Sequence, residues 1–124
     1  MRGSRRRHVF AVVALLAFSA CSGSSTQSGG PRSDHARVGL VEWEVTSSVR
    51  ALTAGPVTLQ VTNAGTTAHD LRVRGRRADK QTVVLAPGQT ATLQVDLTGE
   101  RQVELWCTVA GHRAEGMDRR IPVS

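Results

Sequence analysis

From Ala36 to Val123 apolar and polar residues alternate in short runs broken by turn formers, and no window of ten or more residues carries a helical period. Such alternation puts successive side chains on opposite faces of a strand, so each run buries one face and needs a second sheet to bury it against. Val38 to Val45 alternates with Trp43 on one face and Glu42 and Glu44 on the other. Val57, Leu59 and Val61 face inward against Thr58, Gln60 and Thr62, Thr90 to Leu97 alternates again, and Val103, Leu105 and Cys107 share a face. Gly55-Pro56, Asn63-Ala-Gly65, Pro87-Gly88 and Thr98-Gly-Glu100 supply the turns. A strand near Ala68 to Arg74, a polar corner from Gly75 to Lys80, a short strand from Thr82 to Leu85 and a closing strand from Ile121 to Val123 complete the pattern. The spacing predicts an all-β, antiparallel Greek-key sandwich of about seven to eight strands, with no internal repeat.

Residues 1–20 are of another kind. Arg2 to Arg7 is basic, Val9 to Phe18 is apolar but too short to span a bilayer as a mature helix, and small residues follow, which is the anatomy of an export signal. Ser19-Ala20-Cys21 resembles the lipobox of bacterial lipoproteins, whose cysteine is lipidated and becomes the new N-terminus; Phe18 departs from the aliphatic residue expected there. Arg6-Arg7-His8-Val9-Phe10 resembles a loose twin-arginine signal, and a plain positive leader explains it equally well. Residues 21–35 read as a flexible tether, because Ser22 to Ser33 offers no apolar side chain to offset the entropy of ordering; His35, at its edge, reads as solvated. The domain is expected over residues 36–124.

Charge and aromatic content exclude one class of partner. The formal net charge of +6 includes Arg2, Arg5, Arg6 and Arg7, so a chain starting at Cys21 keeps only about +2. Both phenylalanines lie in the leader and there is no tyrosine, which leaves Trp43 and Trp106 in the domain. A nucleic-acid surface would need a basic excess and exposed stacking residues, and neither is present. Arg72, Arg74, Arg76, Arg77 and Lys80 form the densest basic segment; it reads as a solvated strand and corner, or as a patch for an acidic partner or anionic lipid.

Between Trp106 and Arg120 lies the chemistry. Cys107, His112 and Met117 recur every five residues, so a loop between two strands could turn a thiolate, an imidazole and a thioether toward one point. Soft sulfur with imidazole nitrogen suits copper, and two His with one Cys and a weak axial Met is the blue-copper arrangement. His69, in Asn63-Ala-Gly-Thr-Thr-Ala-His69-Asp-Leu, is the candidate second imidazole. Cys21 and Cys107 are given separate tasks, and no disulfide is predicted between them. Singly, each ligand has an ordinary alternative: a turn histidine, a core methionine, a small buried cysteine.

With these residues in place, the chain resembles a cupredoxin of the plastocyanin and azurin type over about residues 38–124. The resemblance rests on Gly55-Pro-Val-Thr-Leu-Gln-Val-Thr-Asn63, Ala68-His69-Asp70-Leu71, Leu85-Ala-Pro-Gly-Gln-Thr90 and Trp106-Cys-Thr-Val-Ala-Gly-His112 with Met117. Ala110 stands where the family often has Pro, and Asp118-Arg-Arg120 where it often has a Gly-rich end. The resemblance implies one copper ion, with Cys107, His69 and His112 as strong ligands, Met117 as axial ligand and His112 as the electron port. Asn63 and Asp70 either hydrogen-bond across to the copper loop and brace it or cap their own turn. Trp106 either offers a docking point or covers the sheet.

The reading is therefore a one-electron carrier without substrate turnover of its own, tethered by lipid to the outer face of the cytoplasmic membrane, or else periplasmic or secreted. Its partners are expected to be redox proteins, and the chain a monomer. Copper sequestration or delivery, and a β-sandwich interaction module without redox role, are the alternatives.

Overall fold

A computed structural model describes residues 32–124. The export signal, Cys21 and the tether up to residue 31 lie outside the described residues. Ten strands and one short helix follow in order: β1 (Arg32–Ser33), β2 (His35–Val41), β3 (Glu44–Ser47), β4 (Ala51–Leu52), β5 (Pro56–Asn63), β6 (Arg72–Arg74), β7 (Asp79–Gln81), β8 (Thr90–Asp96), β9 (Gln102–Trp106), α1 (His112–Glu115) and β10 (Asp118–Pro122).

Two four-stranded sheets form the sandwich, one in the order β3-β2-β5-β8 and the other β10-β9-β6-β7. Their inner faces carry the alternating positions foreseen from the sequence: Val57, Leu59 and Val61 from β5, Leu93 and Val95 from β8, Val103 and Leu105 from β9. Leu40, Leu59, Leu71, Leu97 and Leu105 are wholly buried, and each such side chain contributes about 1.5–3 kcal/mol. Among the described residues the core cluster holds no Phe, Tyr or Trp, so aliphatic side chains fill the space between the sheets.

Three details differ from the sequence pattern. The run Val38 to Val45 is two strands, not one: Val41 pairs with Glu44, so Glu42 and Trp43 form the tip of a two-residue hairpin. The Glu-Trp-Glu alternation continues through that tip without Gly, Pro or Asn to mark it, and Trp43 consequently points outward, 44% exposed. The strand expected at Thr82 to Leu85 lies earlier, at β7, where it pairs with β6; Val83 and Val84 are exposed and Leu85 is buried in an isolated bridge with His69. Ordered pairing also begins before residue 36, since Arg32 faces Ala51 and His35 faces Thr58. Both of these pairings are parallel, as is all of β2 against β5, so the sheet β3-β2-β5-β8 is mixed, with its parallel pair at the centre.

Register fixes where the loops that carry His69 and Cys107 meet. Arg72 opposes Trp106, and Arg74 opposes Glu104, so the residues before β6 and those after β9 emerge at the same end of their sheet. His69 lies in the first of these connections and Cys107 in the second.

Candidate metal centre

His69, Cys107 and His112 converge at that end. Nδ1 of His69 is 3.1 Å from Nδ1 of His112, and Sγ of Cys107 is 3.8 Å and 3.6 Å from them respectively. The circle through these three atoms has a radius of about 2.0 Å, which matches metal–nitrogen bonds of 2.0–2.1 Å and approaches the ~2.3 Å of metal–thiolate bonds. Among the described residues this is the group of His, Cys, Asp or Glu side chains able to share one ion. His69 and Cys107 are fully buried and His112 is half-buried. Burial pushes the Cys107 thiol above its ordinary 9.0, and the neighbouring Asp70 charge adds to the rise. A metal must therefore displace a proton that the metal-free site holds firmly.

The downstream loop is shaped by its backbone. The Cys107 N–H donates to the Met117 carbonyl at 3.1 Å, and the Met117 N–H donates to the His112 carbonyl at 3.2 Å. Met117 thus closes the loop, and its side chain is wholly buried. Gly111, at φ +82°, turns the chain into α1 in a conformation that a side chain would strain. A single helical turn here escaped the sequence reading, which looked for longer periodicity. Gly116 also has to be glycine, since a Cβ there would lie 2.8 Å from the Trp43 carbonyl. This close approach brings the β2–β3 tip over the loop and sets the Trp43 ring edge-on to His112, centroids 5.0 Å apart.

The upstream loop is shaped by side chains. Asn63 occupies an inward position of β5 and is buried, so its amide needs partners. Its Nδ2 donates to the carbonyls of Thr67 and Leu85, both at 2.8 Å, and its Oδ1 accepts from Gly65 N–H at 2.9 Å. Asn63 therefore caps its own turn and ties it to Leu85, without reaching the Cys107 loop. Asp70 does reach it: Oδ1 accepts from the Thr108 N–H at 2.6 Å, and Oδ2 accepts from the Thr108 hydroxyl and from Gln81 Nε2.

Two residues that sequence reasoning passed over complete the surroundings. Glu42 reaches from the β2–β3 tip to Nε2 of His69, at 2.8 Å. Hydrogen bonds from the Thr67 backbone first, and from the Thr67 hydroxyl and His69, hold its carboxyl down at about 2. Thr67 also places its hydroxyl 3.4 Å from the same ring nitrogen. Nothing in the local pattern marks Glu42, which reads as the solvent face of a strand.

Trp106 is a cover. It is buried beneath two guanidiniums, Arg113 at 4.3 Å and Arg72 at 5.6 Å from the ring centroid, and presents little surface for docking. Arg72 is also paired through two hydrogen bonds with Asp79, so the basic segment is partly neutralised from within, and Arg113 is paired separately with Asp118.

No protein-family model and no curated protein sequence matches the chain. Solved structures do. An auracyanin from the photosynthetic bacterium Roseiflexus castenholzii superposes with a TM-score of 0.57 at 16% identity, over 77% of this chain and 98% of that one. Auracyanin A, a "blue" copper protein from Chloroflexus aurantiacus, superposes with a TM-score of 0.58 at 14% identity, over 74% and 99%. A copper-containing nitrite reductase from Thermus scotoductus matches with a TM-score of 0.52 at 14% identity, over 75% of this chain but 27% of its own. With the register and alternation already described, this likeness makes the fold of the present chain the cupredoxin-type β-sandwich.

Proposed function

We propose that this protein is a mononuclear copper protein that carries single electrons. The observation that carries the reading is the triangle of two imidazole nitrogens and one cysteine sulfur, at the end of a cupredoxin-type sandwich, around a point at metal-bonding distance from all three. That donor set, with a thioether available, is the one that suits copper in both oxidation states. A bound copper ion would supply the one-electron couple.

The chain's own residues supply the rest. Cys107 and the Nδ1 atoms of His69 and His112 would hold the ion, and the Met117 thioether would be available as a fourth, weaker donor. Asp70, Asn63 and the Cys107–Met117 backbone bond keep the donors in place whichever charge the centre bears, so little rearrangement opposes electron transfer. His69 is sealed from solvent, whereas His112 is half-buried and meets the exposed Trp43, so electrons enter and leave at the His112 edge. On this reading the chain performs no substrate turnover of its own.

The extracytoplasmic setting is proposed from residues 1–35 alone: export, acylation of Cys21, a short tether and a monomeric domain meeting redox proteins near the membrane surface. Labelling of the full chain with a radioactive fatty acid, lost in Cys21→Ser, tests the anchor. Copper titration of the domain tests the site. An intense visible thiolate band and a reversible voltammetric wave, both absent in Cys107→Ser, are expected; equal copper uptake by both proteins overturns the assignment. A colourless protein that takes only cuprous ion would instead make this a copper-handling protein.

A further inference from the structure

An imidazole can aim one nitrogen at a metal only if its proton sits on the other, and in a buried ring that proton needs an acceptor. His69 is fully buried and aims Nδ1 at Cys107 and His112. Its Nε2 meets Oε1 of Glu42 at 2.8 Å. The carboxylate is itself fixed. Oε1 accepts from the N–H groups of Thr66 and Thr67 and from the Thr67 hydroxyl, each at 2.9 Å, and Oε2 lies 3.1 Å from Thr66 N. Gly65 leaves the space it occupies: a Cβ there would stand 2.6 Å and 2.7 Å from the two carboxylate oxygens.

We propose that Glu42 is a positioning residue of the metal centre, which holds His69 in its Nε2–H tautomer and, through its negative charge one imidazole away, biases a bound copper toward the cupric state. The inference rests on the copper reading above for its second half only. A carboxylate behind a metal-bound histidine fixes the ring and raises its basicity, and a fixed anion favours the more positive of two charge states.

Three variants separate orientation from charge. Glu42→Gln keeps an acceptor for Nε2–H and removes the charge. Glu42→Ala removes both, and Gly65→Ala pushes the carboxylate, the free end of a flexible side chain, out of its seat without touching either group. Long-range nitrogen–proton correlation spectra of the metal-free protein report the His69 tautomer, and voltammetry and copper titration report the loaded site. The expected result is one Nε2–H tautomer in wild type and Glu42→Gln, and a mixture in Glu42→Ala and Gly65→Ala with copper affinity about 10–100-fold lower. The potential should be more positive than wild type in all three. An unchanged tautomer in both Glu42→Ala and Gly65→Ala overturns the orienting role, and a wild-type potential in Glu42→Gln overturns the charge role. If wild type takes up no copper, the copper reading fails, and the metal-free spectra still decide whether Glu42 orients His69.

Discussion

Two turns in this molecule are built in the same way and differ in what hangs from them. At the ligand end, Glu42 accepts the backbone N–H groups of Thr66 and Thr67 and fills the space beside Gly65. At the opposite end of the β6–β9 pair, Glu100 accepts the N–H groups of Arg76, Arg77 and Ala78, at 2.8, 2.7 and 3.0 Å, and fills the space beside Gly75, where a Cβ would meet its carboxylate at 2.5 Å. Both carboxylates come from a distant strand end, both satisfy orphaned donors of a corner, and both are held ionised by it. Only the first has a histidine nitrogen as an additional donor. A device that elsewhere closes a corner has at this end been joined to His69, and comparing the two separates what a carboxylate does for folding from what it does for the site.

The largest effect tests whether the first turn cradles a ligand at all. His69→Gly should abolish copper uptake and the visible band, and added imidazole should not restore them, because the emptied position is sealed. His112→Gly should lose both and regain them with added imidazole, since its ring reaches the surface. Equal rescue of the two variants, read in the visible spectrum, would break the distinction between a sealed and an open ligand.

Next in size is the contrast between the turns themselves. Glu42→Ala is expected to lower copper affinity about 10–100-fold, while Glu100→Ala, which destabilises its corner, leaves the affinity of the folded protein unchanged. Competition titration against a chelator measures both, and a loss in Glu100→Ala as large as in Glu42→Ala would reduce the first turn to a structural cap.

A smaller loss is expected from the strut between the ligand loops. Asp70→Ala leaves the Thr108 N–H and its hydroxyl without their acceptor, costing about 1–3 kcal/mol in urea unfolding of the metal-free protein. No change in the midpoint would show that solvent replaces Asp70 freely.

The smallest effect is read against pH. The hydrogen bonds from Ala78, Arg77 and Arg76 hold the Glu100 carboxyl below its ordinary 4.5. Its contribution to stability is thus complete above that value and disappears as pH falls through the depressed folded-state value. Glu100→Gln should be less stable at neutral pH and lose less on acidification, seen as a shallower acid limb in thermal melts of the metal-free protein. A limb as steep as wild type would mean that other carboxylates dominate it.

The residues of the site differ in how openly the chain displays them. Cys107, His112 and Met117 share one loop, so their spacing is visible in one line of sequence, and His69 stands out because histidine is scarce: the chain has four. Asp70 and Asn63 could be suspected from adjacency to His69, but whether each braced the other loop or its own turn depended on which way the backbone left β5. Glu42 gave no sign. Its role depends on a hairpin tip falling between Val41 and Glu44 where alternation runs on undisturbed, and on Gly65 standing opposite, which read as a turn signal alone. Trp43 was misplaced for the same reason, and Val83 and Val84 because pairing with β6 drew β7 three residues earlier.

Period-two alternation, turn formers and the rarity of Cys, His and Met determined by themselves that this chain would be a β-sandwich with a soft donor set at one end, because these are one-dimensional properties: a strand period and a ligand spacing survive without knowledge of neighbours. Which nitrogen of His69 faces the other donors, which carboxylate stands behind it, and which imidazole meets solvent were decided only when β2–β3 folded over the 64–71 loop. Those are contacts between segments more than twenty residues apart, and their geometry is set by sheet register and packing rather than by any local preference.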